Sequence, residues 1–231
     1  EKLQPLLVDG PAVLERAYNS GESVLFEGAQ GTLLDIDFGS YPYVTSSNSS
    51  VGGIVTGAGF PGHNIDSVVG VTKAYLTRVG KGPFPAELEG EMGEWLREQG
   101  GEYGATTGRP RRCGWLDLPL LNYSSRINGF TNLALTKLDV LSGLDEIKVI
   151  VDHEEQGEGP QDVVVHSSRL EDVELVYETL PGWDEYIRDC RRWSDLPENA
   201  QRYVTFVEDY VDVPVTYISV GPEREELIAR D

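Results

Sequence analysis

The stretch GATTGRPRRCGWLDL, residues 104–118, sets three arginines within four positions, behind two threonines and a glycine. Guanidinium forks pair in bidentate fashion with carboxylate or phosphate. The threonine hydroxyls and backbone N–H groups add further donors, and Gly104, Gly108 and Pro110 keep the segment out of regular structure. Donors converging on one short loop make a pocket for an anion. The competing account is pairing with surface Asp and Glu, and it fits Arg112 best.

A second constellation is LTKLD, where the apolar run NLAL ends in Thr136, Lys137, Leu138 and Asp139. It resembles the guanine-reading element of GTP-binding proteins, usually written NKxD. A carboxylate at Asp139 accepts from both guanine N1–H and the exocyclic amine, a donor pair that adenine lacks. The Lys137 stem is long enough to lie over the base plane. A capped strand end would use the same residues. No GxxxxGK[ST] loop occurs in the chain, which excludes a complete conventional GTPase. A third stretch, GAGFPG at 57–62, has the spacing of a dinucleotide fingerprint. It reads instead as a glycine-rich connection: GGIV is short for the first strand of that motif, and Pro61 stiffens the loop. The segment about twenty residues on, LTRVGKGPFP, also has no acid for a ribose. A NAD-dependent oxidoreductase built on it is the alternative enzyme class.

The elements that would position these groups alternate. Residues 1–20 read as helical, and SVLFEGAQG (23–31) as a buried strand running into a glycine turn. NIDSVVGVTKAYLTRVG (64–80) puts Ile65, Val68, Val69, Thr72, Tyr75, Leu76 and Val79 on one helical face. LPLLNYSSRING (118–129) is a helix stopped by glycine, and 132–141 a buried strand with polar residues at its end. EIKVIVDHE and DVVVHSS, separated by EQGEGPQ, suggest an antiparallel hairpin. DLPENAQRYVTFVEDYVDV opens on a helix-start proline, and PVTYISVGP is a strand closed by a Gly-Pro turn. The expected fold is therefore α/β, with a largely parallel central sheet, flanking helices and a small antiparallel hairpin. With no repeat and no low-complexity linker, residues 1–231 read as a single α/β domain.

Composition narrows the partners. Asp and Glu number 39 against 19 Lys and Arg, a formal net charge of −20. Such an excess opposes binding to nucleic acid or to an anionic membrane. It suits a salt-rich, halophilic setting, where self-repulsion is screened. There is no apolar run of membrane-spanning length and no charged-then-apolar leader. Cys113 and Cys190 lack metal-ligand spacing and read as ordinary thiols. The expectation is a cytoplasmic protein.

VLFEGAQGTLLDIDFGSYPYVTSSNSSVGGIVTGAG, KAYLTRVGKGPFPAEL, GEYGATTGRPRRCGWLD, LTKLDVLSGLDEIKV, YETLPGW and ISVGPER occur in this order, and from Leu25 onward the chain resembles the adenylosuccinate synthetase family. The resemblance implies a ligase of purine (AMP) biosynthesis. GTP first phosphorylates the base oxygen of inosine monophosphate (IMP), and the amine of L-aspartate then displaces phosphate to give adenylosuccinate. It implies Mg2+ and a homodimer as well. Family members carry an N-terminal phosphate loop with a catalytic Asp and Lys, then a catalytic His. Nothing similar precedes Leu25 here, so the chain is expected to be the C-terminal part of a larger enzyme. Its magnesium ligands and main catalytic groups would lie elsewhere. The isolated chain would then be a non-catalytic nucleotide-binding fragment. His63, His153 and His166 fall outside the matching motifs and are not candidates for the catalytic acid.

By position, the resemblance puts Gln30 against the IMP base oxygen, as the catalytic contribution of this chain, and Thr45 on the IMP phosphate. Ala105, Thr106, Thr107, Gly108, Arg109, Pro110 and Arg111 fall on the aspartate-binding loop. Arg109 is shared with IMP, and Arg111 reaches toward GTP. Lys137, Leu138 and Asp139 fall on the guanine-specificity element, and Ser219, Val220 and Gly221 on a second guanine contact. Pro110 stands where the family commonly has another basic residue.

Overall fold

The computed structural model describes residues 2–106, 108–154 and 167–230. Asp9 accepts from the Ala12 N–H and starts helix α1, Gly10–Asn19, none of whose residues is buried. The segment expected to be helical at 64–80 folds instead into strands β1, Val69–Lys73, and β2, Leu76–Arg78. Its run of valines favours a pleated surface. Gly70 permits the packing seen there: a Cβ would stand 2.7 Å from the Phe130 ring, so the strand approaches that ring only without a side chain. Helix α2, Glu91–Gln99, carries Glu91 and Glu94 in its first turn and Arg97 in its last, in accord with the helix dipole.

After the arginine loop come β3, Arg112–Gly114, and β4, Leu116–Asp117, and then helix α3, Leu118–Asn128. Asp117 caps α3 by accepting from Leu120 N–H, and Gly129 ends it at φ 62°, as the glycine stop predicts. Strand β5, Asn132–Thr136, precedes β6, Leu144–Glu154. A short helix α4, Ser167–Leu170, precedes β7, Glu174–Trp183. Helix α5, Glu198–Val211, starts after Pro197, as the helix-start proline predicts, and buries Ala200, Tyr203, Val204, Val207 and Val211. Strands β8, Val215–Ser219, and β9, Leu227–Ala229, complete the described elements.

The central sheet has the order β1-β5-β8-β9, with β1, β5 and β8 parallel and β9 antiparallel. Leu133, Leu135 and Ile218 sit at its centre, with Leu138, Leu141, Tyr203 and Val204 packed around them, all fully buried. β2 and β3 form a short antiparallel ribbon, while β6 runs parallel to β4 and antiparallel to β7. The α/β architecture with flanking helices is as the sequence predicts.

Two further local expectations change, and one holds. The antiparallel partner of β6 is β7; the expected partner, 162–168, lies mostly outside the described residues. SVLFEGAQG forms no strand among the described residues, and Leu25 is 92% exposed. GAGFPG is a connection, as expected, with a wide helical turn at Ile54–Ala58 ended by Gly59 at φ 68°. The connection leads into strand β1 rather than into a long helix.

A buried pair joins the layers. His153 on β6 and Asp117 meet at 2.7 Å, with side chains 4% and 0% exposed. Asp117 therefore serves two partners, His153 and the α3 N-terminus. Asp117→Ala is expected to cost about 2–4 kcal/mol, about one from the lost cap and the rest from stranding a buried imidazole. Asp9→Ala removes only an exposed cap and should cost about 0.5–1 kcal/mol. Thermal unfolding of the two variants checks this, and equal losses would contradict the dual role.

Candidate functional site

Three parallel strands end on the same side of the central sheet, where α/β sheets bind ligands. β1 ends in Lys73, β5 runs into Lys137, and β8 ends in Ser219. Lys137 takes a left-handed conformation, φ 64°, which turns the chain sharply into a 3-10 segment, Leu138–Leu141. Lys137 Nζ donates to Gly100 O at 2.7 Å, tying the turn to the segment that leads into the arginine loop. Leu138 is fully buried and anchors the turn.

Asp139 is the feature that marks this end of the sheet. Its side chain is 5% exposed, and its Oδ2 accepts from Arg188 Nε at 3.0 Å and forms an ion pair with Nη2 at 2.9 Å. Its Oδ1 is buried and has no hydrogen-bond partner. Buried carboxylate oxygens nearly always have donors, so an unpartnered Oδ1 is the exception at this end of the sheet. Next to β5, Ser219 Oγ donates to Gly221 O at 2.8 Å, and buried Val220 donates its N–H to Glu226 O. A Cβ on Gly221 would come within 2.2 Å of Glu226 Oε2, so glycine lets that carboxylate close over the turn.

The arginine loop is closed at its base by backbone bonds. Arg111 N–H donates to Glu102 O and Gly104 N–H to Arg109 O, both at 2.9 Å. Gly108, at φ 63°, donates to Gly104 O. Ala105, Thr106, Arg109 and Pro110 lie exposed on the loop, and Thr107 lies outside the described residues. The three arginines differ in their surroundings. Arg112 donates to Glu87 Oε2 at 2.7 Å and to Gly82 O at 2.8 Å, and its guanidinium lies 5.3 Å from the Phe84 ring centroid. That is the internal pairing the sequence favours for it. Arg111 Nη1 donates to Glu102 Oε2 at 2.6 Å, so its charge is partly engaged within the protein.

Glu102 is a residue at the base of the loop that the motifs do not reveal. It is 1% exposed and also accepts from Lys73 Nζ and Tyr75 Oη, each at 2.7 Å. Burial alone would raise its carboxyl, but the bonds from Lys73 and Tyr75 and the Lys73 and Arg111 charges hold it below the ordinary range. Burial pushes the Lys73 ammonium down, with Glu102 opposing that shift. Burial and the Glu102 carboxylate both push the Tyr75 hydroxyl up. A glutamate directly before the loop was the available signal. Arg188 had none, since it sits in a mixed-charge segment, DEYIRDCRRW.

Gln30 and Thr45 belong to a separate loop system. Gln30 is exposed and has φ 63°, and Thr45 is half-buried, with its N–H donating to Leu34 O. Buried Asp35 organises this loop by accepting from the N–H groups of Asp37, Phe38 and Ser50. Burial works against its charge, yet these bonds hold its carboxyl below the ordinary range. Asn128 on α3 fastens the loop from outside, accepting from Val51 N–H and donating to Thr32 Oγ1. Arg78 Nη2 reaches Ser40 Oγ and Tyr43 O, and Arg78 pairs across the β2–β3 ribbon with Arg112. The loop of Gln30 and Thr45 is thus tied to the foot of the arginine loop.

Removing the Glu102 charge leaves Lys73 and Arg111 facing each other. Glu102→Gln should cost about 2–3 kcal/mol, below the usual range for a broken buried pair because its partners are 27% and 32% exposed. Glu102 titrates below its unfolded value, so its contribution is present above about pH 4 and is lost as pH falls further. The parent should therefore lose stability more steeply than Glu102→Gln on acidification below that pH, as read by chemical unfolding. Parallel acid limbs would show that Glu102 is not held ionised.

A family model described as adenylosuccinate synthetase matches residues 1–228. The adenylosuccinate synthetase of Halothermothrix orenii is 54% identical over 231 residues, covering 100% of this chain and 54% of that protein. That of Salinibacter ruber is 54% identical over 228 residues, 99% of this chain and 52% of the relative. The structure of fully ligated adenylosuccinate synthetase from Plasmodium falciparum superposes with a TM-score of 0.96 at 46% identity, over 100% of this chain and 55% of that one. Cyanophage S-2L succinoaminodeoxyadenylate synthetase, at 19% identity and a TM-score of 0.58, shares the fold. The chain spans about half the length of the curated relatives it matches. On this agreement of family model, relatives and structure, the chain belongs to the adenylosuccinate synthetase family.

Proposed function

We propose that this chain is the C-terminal part of a longer ligase that joins L-aspartate to IMP at the expense of GTP, releasing adenylosuccinate, GDP and phosphate. The observation that carries the reading is Asp139 Oδ1, a buried acceptor without a donor at the end of β5, beside Lys137 and the turn at Ser219, Val220 and Gly221. Guanine N1–H and its 2-amine are donors of the required kind. Lys137, with Leu138 anchoring its turn, flanks the base. Arg111, Thr106 and Thr107, with backbone from Ala105 to Pro110, receive the aspartate carboxylates. Arg109 serves both aspartate and IMP, Gln30 addresses the IMP base oxygen, and Thr45 its phosphate.

The reading includes Mg2+, a homodimer, a cytoplasmic setting and a salt-adapted surface, the last supported by the net charge of −20. Among the described residues no three His, Cys, Asp or Glu side chains are grouped to hold a metal ion, and no helix is long and apolar enough to cross a membrane. The metal is assigned to the part of the enzyme outside this chain, and no step here runs through it.

In the complete enzyme, Asp139→Asn should weaken GTP use by about 2–5 kcal/mol and favour xanthosine triphosphate, whose 2-position accepts rather than donates. Steady-state kinetics with both nucleotides test this, and an Asn variant that uses GTP as the parent does would refute the assignment. Arg109→Leu should raise the aspartate requirement by roughly two to four orders of magnitude, through loss of two charge-assisted bonds. Arg112→Leu should change it far less, because Glu87 and Gly82 already occupy that guanidinium. The reverse order would mean the loop is read in the wrong register. Residues 1–231 alone should form no adenylosuccinate, because phosphoryl transfer depends on positioning by a phosphate loop that this chain does not contain; turnover by that chain would relocate the catalytic groups.

A further inference from the structure

We propose that Arg188 is a positioning residue for nucleotide recognition: it fixes the Asp139 carboxylate so that Oδ1 faces the incoming base. This rests on the reading of Asp139 as the guanine contact. Arg188 approaches a single oxygen: Nε donates to Oδ2 at 3.0 Å, and Nη2 lies 2.9 Å from the same Oδ2 as an ion-pair contact. A guanidinium meeting a free carboxylate usually spreads over both oxygens. Here both guanidinium nitrogens face one oxygen, and the other is buried without a partner among the described residues.

A carboxylate oxygen has two good acceptor directions, so Arg188 fills Oδ2 and leaves Oδ1 as the open acceptor. The carboxylate is thereby held in one rotation about its Cβ–Cγ bond before any nucleotide arrives. Preorganisation of this kind favours binding by removing an ordering cost at the moment of association. Arg188 is itself well placed for the task. The preceding residue, Ile187, is 1% exposed and pins the segment into the core, and Ile187 O accepts from Cys190 N–H to close a turn around Arg188. The arginine side chain is 38% exposed, so the guanidinium approaches Asp139 from the solvent side.

Without Arg188 the carboxylate is free to rotate and to take its donors from water. Recognition of the base then weakens, while the reacting groups, supplied by other loops, are untouched. The 2-amine is what distinguishes guanosine from inosine nucleotides, so the preference for GTP over inosine triphosphate (ITP) reads the Asp139 geometry directly.

The test is steady-state kinetics of the complete enzyme with GTP and ITP. Arg188→Leu should raise the KM for GTP about tenfold or more, leave kcat at saturating GTP within about threefold, and narrow the GTP-to-ITP preference by a similar factor. Arg188→Lys, which keeps one charged donor, should recover part of the preference. Arg192→Leu, which removes an 81% exposed guanidinium from the same segment, should change none of these. An unchanged KM and preference in Arg188→Leu would overturn the proposal, and so would a lower KM, which would make Arg188 a competitor of the base. Loss of kcat with an unchanged KM would also overturn it. Asp139→Asn, run in parallel, separates the two levels. If Asp139→Asn spares GTP use, the guanine reading itself fails; if it abolishes GTP preference while Arg188→Leu does not, only the role of Arg188 fails.

Discussion

The arginine loop can exist in this chain because a carboxylate is buried beneath it. Glu102 receives Lys73, Tyr75 and Arg111 at 2.6–2.7 Å, and its own carbonyl closes the loop by accepting from Arg111 N–H. Two cations share one anion there, so the neighbourhood keeps a positive balance while every buried partner is satisfied. A protein with a net charge of −20 thus groups two cations around one buried carboxylate at one end of its sheet. Long-range repulsion from the acidic surface is screened in salt, whereas this buried cluster is screened much less. Lys137 extends the cluster by reaching Gly100 O, two residues before Glu102. Strand ends and loop therefore behave as one electrostatic unit.

How much of this was legible beforehand depended on the range of the interaction. Helices α3 and α5 were readable because their signals are local: a glycine stop, a proline start, and apolar residues at helical spacing. The 64–80 segment misled because Val68, Val69, Thr72 and Leu76 satisfy helical and strand spacing about equally well. What spacing cannot show is the parallel pairing with β5, far along the chain, and the close approach of Gly70 to Phe130. β7 went unread as the partner of β6 for a related reason, since ELVYETLPGW alternates poorly and its pairing is set by register rather than pattern. For the site, motif residues such as Lys137 and Asp139 were found, and their surroundings were not. Glu102, Arg188, Asp35 and Asn128 reach partners as far as 29, 49, 15 and 96 positions away in the chain, and spacing has no access to those pairings.

The site has two halves of different construction. The strand-end half rests on rigid core: Leu138 and Val220 are fully buried next to Lys137 and Ser219. The half with Gln30 and Thr45 is almost all loop, and its shape comes from Asp35 and Asn128 satisfying backbone groups that no sheet or helix satisfies. Arg78 joins the halves through Ser40 and Tyr43, and its Nε is buried without a partner. A substitution in the first half acts on packing; one in the second acts on a hydrogen-bond scaffold, where a single lost acceptor frees several residues.

The parallel pairing of β1, β5 and β8 also sets a timetable. Thr136 Oγ1 bonds Thr72 O across 64 positions, and Leu133 pairs with Val215 still further along. Loop-closure entropy has to be met before such contacts return any free energy. During synthesis, the strand that completes the core of the sheet emerges long after its neighbours. Until Val215 to Ser219 has left the ribosome, β5 has a bare edge, and Lys137 and Asp139 have no neighbouring strand end to stand against. The nascent protein therefore spends a long stretch of its translation with an open parallel edge, the state in which strands from separate chains pair most readily. The net charge of −20 sets like charges against one another whenever two such open edges meet, which opposes their pairing.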